Sequence, residues 1–219
     1  MKTIEKRSLR EEVLEKVKEY ILKGHFMPGE RIVIDSLAKD LGVSITPVRE
    51  ALHYLAARGL LLVEPHKGFT VKKWDRKEIE DLLLLRMYLE KLAVKLFIER
   101  GKDQDFVSLS QIMEEMLEAS KSSNWEEMIK LNSQFHTAIV KGSGNDELCR
   151  MMAELSEKLY RVRVLSLSYP GRISQSCQEH MDIFKAIESR NVQEAEKKIE
   201  EHTQSVMNVL LKRMNEGLI

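Results

Sequence analysis

The chain has 219 residues, 43% of them hydrophobic, and a formal net charge of zero. That length allows one or two domains with an ample core, and the neutral balance by itself argues against a nucleic-acid binder. The charge is unevenly spread, however: residues 1–73 carry 14 Lys and Arg against 10 Asp and Glu, and the remainder carries 21 against 25. Phosphate contact is therefore expected of the N-terminal part. Few Gly and Pro favour helix. Cys149 and Cys177 show neither metal-site spacing nor a disulfide framework and read as reduced thiols. No signal peptide precedes residue 10 and no apolar run approaches about 18 residues, so a cytoplasmic protein without membrane contact is expected.

Ser8 to Lys23 form the first expected helix, with Val13, Val17, Tyr20 and Ile21 inward and Gly24 as its stop. Ile34 to Leu41 form a short second helix, closed by Gly42 in the position where a left-handed residue ends a helix. Ser44 is a good cap for a third. Pro47 falls in its first turn, where a missing amide hydrogen costs little. Val48, Ala51, Leu52 and Leu55 recur at helical spacing as its buried side, while Ser44, Thr46, Arg49 and His53 fall near its start or on its polar flank. Leu60 to Val63 and Phe69 to Val71 are apolar runs around Glu64-Pro65-His66-Lys67-Gly68, a β-hairpin with a basic tip. A capped amphipathic helix alone is usually structural. Preceded by a helix and turn and followed by a hairpin, it makes a winged helix-turn-helix over residues 1–73. Hydroxyls and an arginine near its start suit phosphates and base edges in a major groove, with Lys67 and Gly68 of the wing on the DNA backbone.

Pro28-Gly29-Glu30-Arg31, Leu37-Ala38, Leu41-Gly42-Val43-Ser44, Thr46-Pro47-Val48-Arg49-Glu50-Ala51-Leu52, Gly59-Leu60 and Gly68-Phe69-Thr70-Val71 resemble the N-terminal domain of the GntR family of bacterial transcription regulators. The resemblance spans roughly residues 9 to 73. It implies a double-stranded operator as partner, with Arg31 and the Ser44-to-Arg49 stretch, Pro47 included, at the DNA. The chain has Ile45 and Ser36 where members of the family carry arginines that touch DNA, so its operator need not follow theirs.

Lys72-Lys73-Trp74-Asp75 is too short to act as a free tether, and Asp75 can cap the next helix. From Arg76 onward six helices are expected, at about 76–99, 104–119, 124–140, 145–166, 172–189 and 191–216. Their short connections suit an antiparallel bundle. The expected fold is mainly α: a winged helix of three helices and a hairpin, then an all-α six-helix bundle over residues 74–219.

Polar residues interrupt the apolar stripes of that bundle. Asn132 and His136 lie i and i+4 on the third bundle helix, His180 on the fifth and His202 on the sixth. Each histidine alone would be an ordinary hydrogen-bonded core residue. Buried without partners such groups cost about 1–3 kcal/mol each, and facing helices of a bundle are where metal sites are built. The four are expected to bind a divalent transition metal; zinc, nickel, iron and manganese all suit imidazole. The half from 76 to 216 also resembles the FCD effector domain of the FadR subfamily of GntR regulators, closest in length to its VanR-like branch. In that domain an Asp or Asn four residues before a histidine and two later histidines hold a metal, as Asn132, His136, His180 and His202 would here. Arg86-x-x-Leu89-Glu90 resembles the same pattern, whose arginine lies near the ligand cavity. Arg86 could grip an effector carboxylate or merely pair with Glu90 along the helix. Arg161 and Arg163 are further candidates. Glu179, adjacent to His180, is expected to point elsewhere.

The expected protein is a homodimeric repressor on a roughly palindromic operator, controlled by a small carboxylate bound in the bundle. The alternatives are a regulator whose metal is purely structural and a metal-dependent enzyme fused to a DNA-binding domain. No general base stands out beside the histidines, which speaks against the enzyme.

Overall fold

A computed structural model describes residues 9–22, 24–64, 68–122 and 124–219. The chain divides into two units: one runs to Trp74 and also contains Arg213–Ile219, and the other is Asp75–Lys212.

In the first unit, α1 (Leu9–Leu22) buries Val13, Val17 and Ile21 and packs against α3 (Ile45–Ala57). α2 (Ile34–Leu41) buries Leu37 and Ala38 and ends at Gly42, whose φ of 66° is the left-handed value that glycine adopts without strain. Ser44 occupies the cap position of α3 with extended backbone, but its hydroxyl makes no capping bond. Pro47 sits in the first turn, and Val48, Ala51, Leu52 and Leu55 form the buried side. Two wing strands, β2 (Leu61–Glu64) and β3 (Gly68–Val71), pair antiparallel with Leu62 opposite Thr70. A further strand, β1 (Arg31–Ile32), joins β3 and gives a sheet of order β1-β3-β2. Two residues are too few to show an alternating pattern, which is why sequence suggests only a hairpin. Pro65, His66 and Lys67 lie outside the described residues.

The second unit is helical: α4 (Arg76–Arg100), α5 (Asp103–Lys121), α6 (Trp125–Gly142), α7 (Asp146–Leu167), α8 (Arg172–Glu188) and most of α9 (Val192–Asn215). Asp75, Asn124 and Asn145 cap α4, α6 and α7, each accepting an orphan amide of the first turn. α6 is central, packed against α4, α5 and α7. Its last turn approaches α4 so closely that a Cβ on Gly142 would lie 2.5 Å from Cε2 of Phe97, a ring with no exposure. That approach sets α6, and with it Asn132 and His136, against the Arg86–Glu90 stretch of α4.

Candidate DNA-reading face and metal centre

Helical spacing puts Thr46, Arg49 and His53 on one exposed face of α3, with Ser44 and Ile45 exposed at its start. Pro47 is half-buried beside them, and the His53 ring stands edge-on to Phe69 of the wing at 4.9 Å. Arg31 is exposed on β1, opposite Thr70, and Gly68 begins β3 with a φ of 81°. Arg31, Ser44, Thr46, Arg49 and His53 thus offer hydroxyls and positive charge from one small unit. Lys67 belongs to the segment outside the described residues.

In the helical unit the four expected ligands converge. His136, His180 and His202 offer ring nitrogens all within 4.8 Å of one another, and Asn132 joins them, with Nδ2 3.1 Å from Nε2 of His180. All four are at most 4% exposed.

The second nitrogen of each ring shows how it is held. Nδ1 of His136 faces Oε1 of Glu90 at 2.9 Å, Nδ1 of His180 faces the Ser176 carbonyl at 2.6 Å, and Nδ1 of His202 faces Oε2 of Glu179 at 2.7 Å. An ionised carboxylate or a carbonyl can only accept, so each Nδ1 carries the proton and each Nε2 presents a lone pair. Two of those lone pairs, on His136 and His180, lie 3.1 Å apart. Two acceptors at that distance repel unless a cation lies between them, and roughly 3 Å separates two nitrogens bound to one ion at about 2.1 Å. Nε2 of His202 and Oδ1 of Asn132 are buried with no hydrogen-bond partner. The donor set therefore fits a divalent metal, with every imidazole oriented by an acceptor behind it.

The acceptors behind His136 and His202 are themselves held by arginines. Nε of Arg86 donates to Oε1 of Glu90 at 2.9 Å, and Arg172 grips Glu179 through both terminal nitrogens at 2.9 and 2.7 Å. Burial would raise the Glu90 carboxyl, but Arg86 and His136 hold it well below the usual carboxylate range. Glu179 is likewise brought down to about 2 against its own burial, by His202 and Arg172. Burial lowers His136 to about 4, pushes His180 well below its ordinary value and also lowers His202. All three rings are neutral near pH 7, as ligands must be.

Glu179 corrects the sequence reading. Adjacent residues on a helix diverge by about 100°, so Glu179 does turn away from the face of His180. It turns toward α9 and thereby reaches His202. The i,i+7 pairing of Arg172 with Glu179 on α8 was the available signal. Of the two roles weighed for Arg86, the structure shows the pairing with Glu90; its NH2 group also lies 2.8 Å from Nε2 of His136. Both further arginines are buried. Arg163 lines a cavity of about 260 Å³ with Glu90 and His136, whereas Arg161 reaches Glu78 at 3.7 Å.

A winged helix joined to a helical unit of this kind defines a DNA-binding transcriptional regulator. Residues 9–71 match the bacterial regulatory proteins, gntR family, and residues 81–205 match the FCD domain. The chain belongs to the GntR family, in its FCD-bearing group. It is 34% identical over 187 residues to the Nta operon transcriptional regulator of Aminobacter aminovorans, covering 85% of this chain and 87% of that one. It is 31% identical over 187 residues to the uncharacterized HTH-type transcriptional regulator YdhC of Bacillus subtilis, covering 85% and 84%. Among solved structures, E. coli McbR/YncC superposes with a TM-score of 0.61 at 27% identity, over 95% of this chain and all of that one. No helix among the described residues is long and apolar enough to cross a membrane.

Proposed function

We propose that this regulator is a cytoplasmic homodimeric repressor whose hold on a roughly palindromic operator is set by a small carboxylate bound at a metal site in the helical unit. The observation that carries this is the convergence of three Nε2 lone pairs, each fixed by an acceptor behind its ring. Asn132, His136, His180 and His202 would hold a divalent zinc, nickel, iron or manganese, which supplies a Lewis-acid site for a carboxylate oxygen. Turning the Asn132 amide by 180° exchanges its oxygen and nitrogen and offers Oδ1 to the ion. Arg86 and an ion compete for the same lone pair of His136, so an ion there leaves the Arg86 NH2 group to seek another acceptor. An effector carboxylate is such an acceptor.

Dimerisation is supported by Leu84, Leu85, Tyr88 and Leu92, which are 53%, 44%, 62% and 42% exposed along one side of α4. A contiguous apolar stripe of that kind is what a second copy would cover. On the operator, Ser44, Thr46, Arg49 and His53 would read bases and phosphates, with Pro47 shaping the start of the helix. Arg31, Lys67 and Gly68 would rest on the backbone.

Elemental mass spectrometry of protein purified without a chelating tag tests the metal reading. We expect about one ion per chain, lost in His136→Ala; metal-free wild-type protein would sink the reading. On DNA, Arg49→Ala should weaken operator binding about ten- to a hundredfold, the worth of one good arginine–base contact. Titrations of labelled operator at fixed salt measure it, and an unchanged affinity would remove Arg49 from the interface.

A further inference from the structure

Ile45 stands on the wrong side of α3 for an apolar residue. The buried side of that helix, Val48, Ala51, Leu52 and Leu55, is at most 1% exposed, whereas Ile45 is 40% exposed. It lies in the first turn, between the exposed Ser44 and Thr46 and one turn before Arg49 on the same flank. Single exposed apolar residues are ordinary on a protein surface. This one interrupts a row of hydroxyls and positive charge that would meet DNA.

The bases decide what such a residue can read. In the major groove thymine alone adds a methyl to its hydrogen-bonding edge. An isoleucine laid over an amino group, a carbonyl or a ring nitrogen removes its water and returns no bond, which is unfavourable. Laid over a thymine methyl, it takes two apolar surfaces out of water together. Its branch at Cβ leaves few rotamers, so little freedom is lost on contact. The start of a recognition helix is also the part that reaches base edges. The Ser44 hydroxyl makes no capping bond, and with the first amides of α3 it suits a phosphate, a contact that would set residue 45 at the groove. We propose that Ile45 is a specificity-determining residue that selects one thymine in each half of the operator through its methyl group. This rests on the reading that α3 of each protomer enters a major groove. Four residues of helix rise by about 6 Å and base pairs are spaced by about 3.4 Å, so this thymine lies within about three base pairs of the position that Arg49 contacts.

Duplexes selected from a random pool by the full-length protein supply the operator for the test. Each thymine is then replaced singly by deoxyuridine, which keeps the base pair and removes only the methyl, and affinity is titrated at fixed salt. For the wild-type protein we expect one position per half-site where the replacement weakens binding about fourfold, the worth of one buried methyl group. In Ile45→Ala that position should respond by less than about 1.5-fold, while thymines elsewhere respond as they do for wild type. Ile45→Arg, which offers a fork to guanine, should move the preferred base there from thymine to guanine. A wild-type protein indifferent to every replacement overturns the proposal, as does a sensitivity that Ile45→Ala retains. A sensitivity lost in Thr46→Ser instead also overturns it, since the methyl of Thr46 is then the reader. The wild-type series needs no variant and decides the matter even if Ile45→Ala fails to fold. Guanines replaced by an analogue lacking the ring-nitrogen acceptor of the major-groove edge test the groove reading separately. If neither that replacement nor Arg49→Ala changes affinity, α3 is not in the groove and both readings fall. If these respond and only the methyl series is flat, Ile45 alone is removed.

Discussion

Replacing Arg86 with methionine should destabilise the helical unit by about 3–5 kcal/mol, the cost of leaving one partner of a buried ion pair uncompensated. Arg86 is 1% exposed and Glu90 3%, so neither charge has water to fall back on. With Arg86 gone, Glu90 keeps, among the described residues, the N–H of His136 as its side-chain donor. The double variant Arg86→Met, Glu90→Leu should recover part of the loss, because well-packed apolar pairs often match a buried ion pair. Recovery will be incomplete: Nδ1 of His136 then lacks its acceptor, which costs about 1–3 kcal/mol. Thermal and urea unfolding of the three proteins measures this, with the single variant expected to melt about 10 °C or more below wild type. A single variant that melts with wild type would mean that the pair contributes nothing to stability.

Acid should loosen the same unit before any carboxylate titrates. In an unfolded chain the three histidines protonate near pH 6.5, whereas burial lowers all three in the fold, His136 to about 4. Between those values the unfolded state binds more protons than the native one, so stability rises with pH across the window. The contribution is fully present above about pH 6.5 and is lost as pH falls toward 4. His136 alone accounts for about 2 kcal/mol of loss by pH 5, and His180 and His202 act in the same direction. Glu90 and Glu179, both held low, add their own losses as pH falls from about 5 through the ordinary carboxylate range. Unfolding midpoints of chelator-treated protein from pH 7 to pH 5 should fall steadily, and less steeply in His202→Gln. A flat profile over that interval would show that the rings are not held neutral.

The sequence carried the helices further than the site. The helix ends expected from Arg76 onward fall within two residues of those observed, because capping and left-handed turns are local chemistry. The inward positions of Asn132, His136, His180 and His202 followed from a period of 3.6 residues. What holds them in place did not. The pairing of Glu90 with His136 depends on how α4 meets α6, and that of Glu179 with His202 joins two helices through side chains alone. Strand β1 was missed for a different reason: its two residues pair only because β3 offers an edge. Arg161 and Arg163, two residues apart on α7, are both buried, and it took the cavity to separate them.

The return of Arg213–Ile219 to the unit of the winged helix has a practical side. A side chain at Gly24, already at a φ of 75°, would come within 2.9 Å of Cδ2 of Leu218, so these last residues fill space beside the end of α1. The chain therefore crosses between the units twice, after Trp74 and again after Lys212, the second time inside α9, the helix that bears His202. A protease nick in the Lys72–Asp75 segment leaves the two parts tethered, and a fragment cut at residue 74 is missing part of its own body.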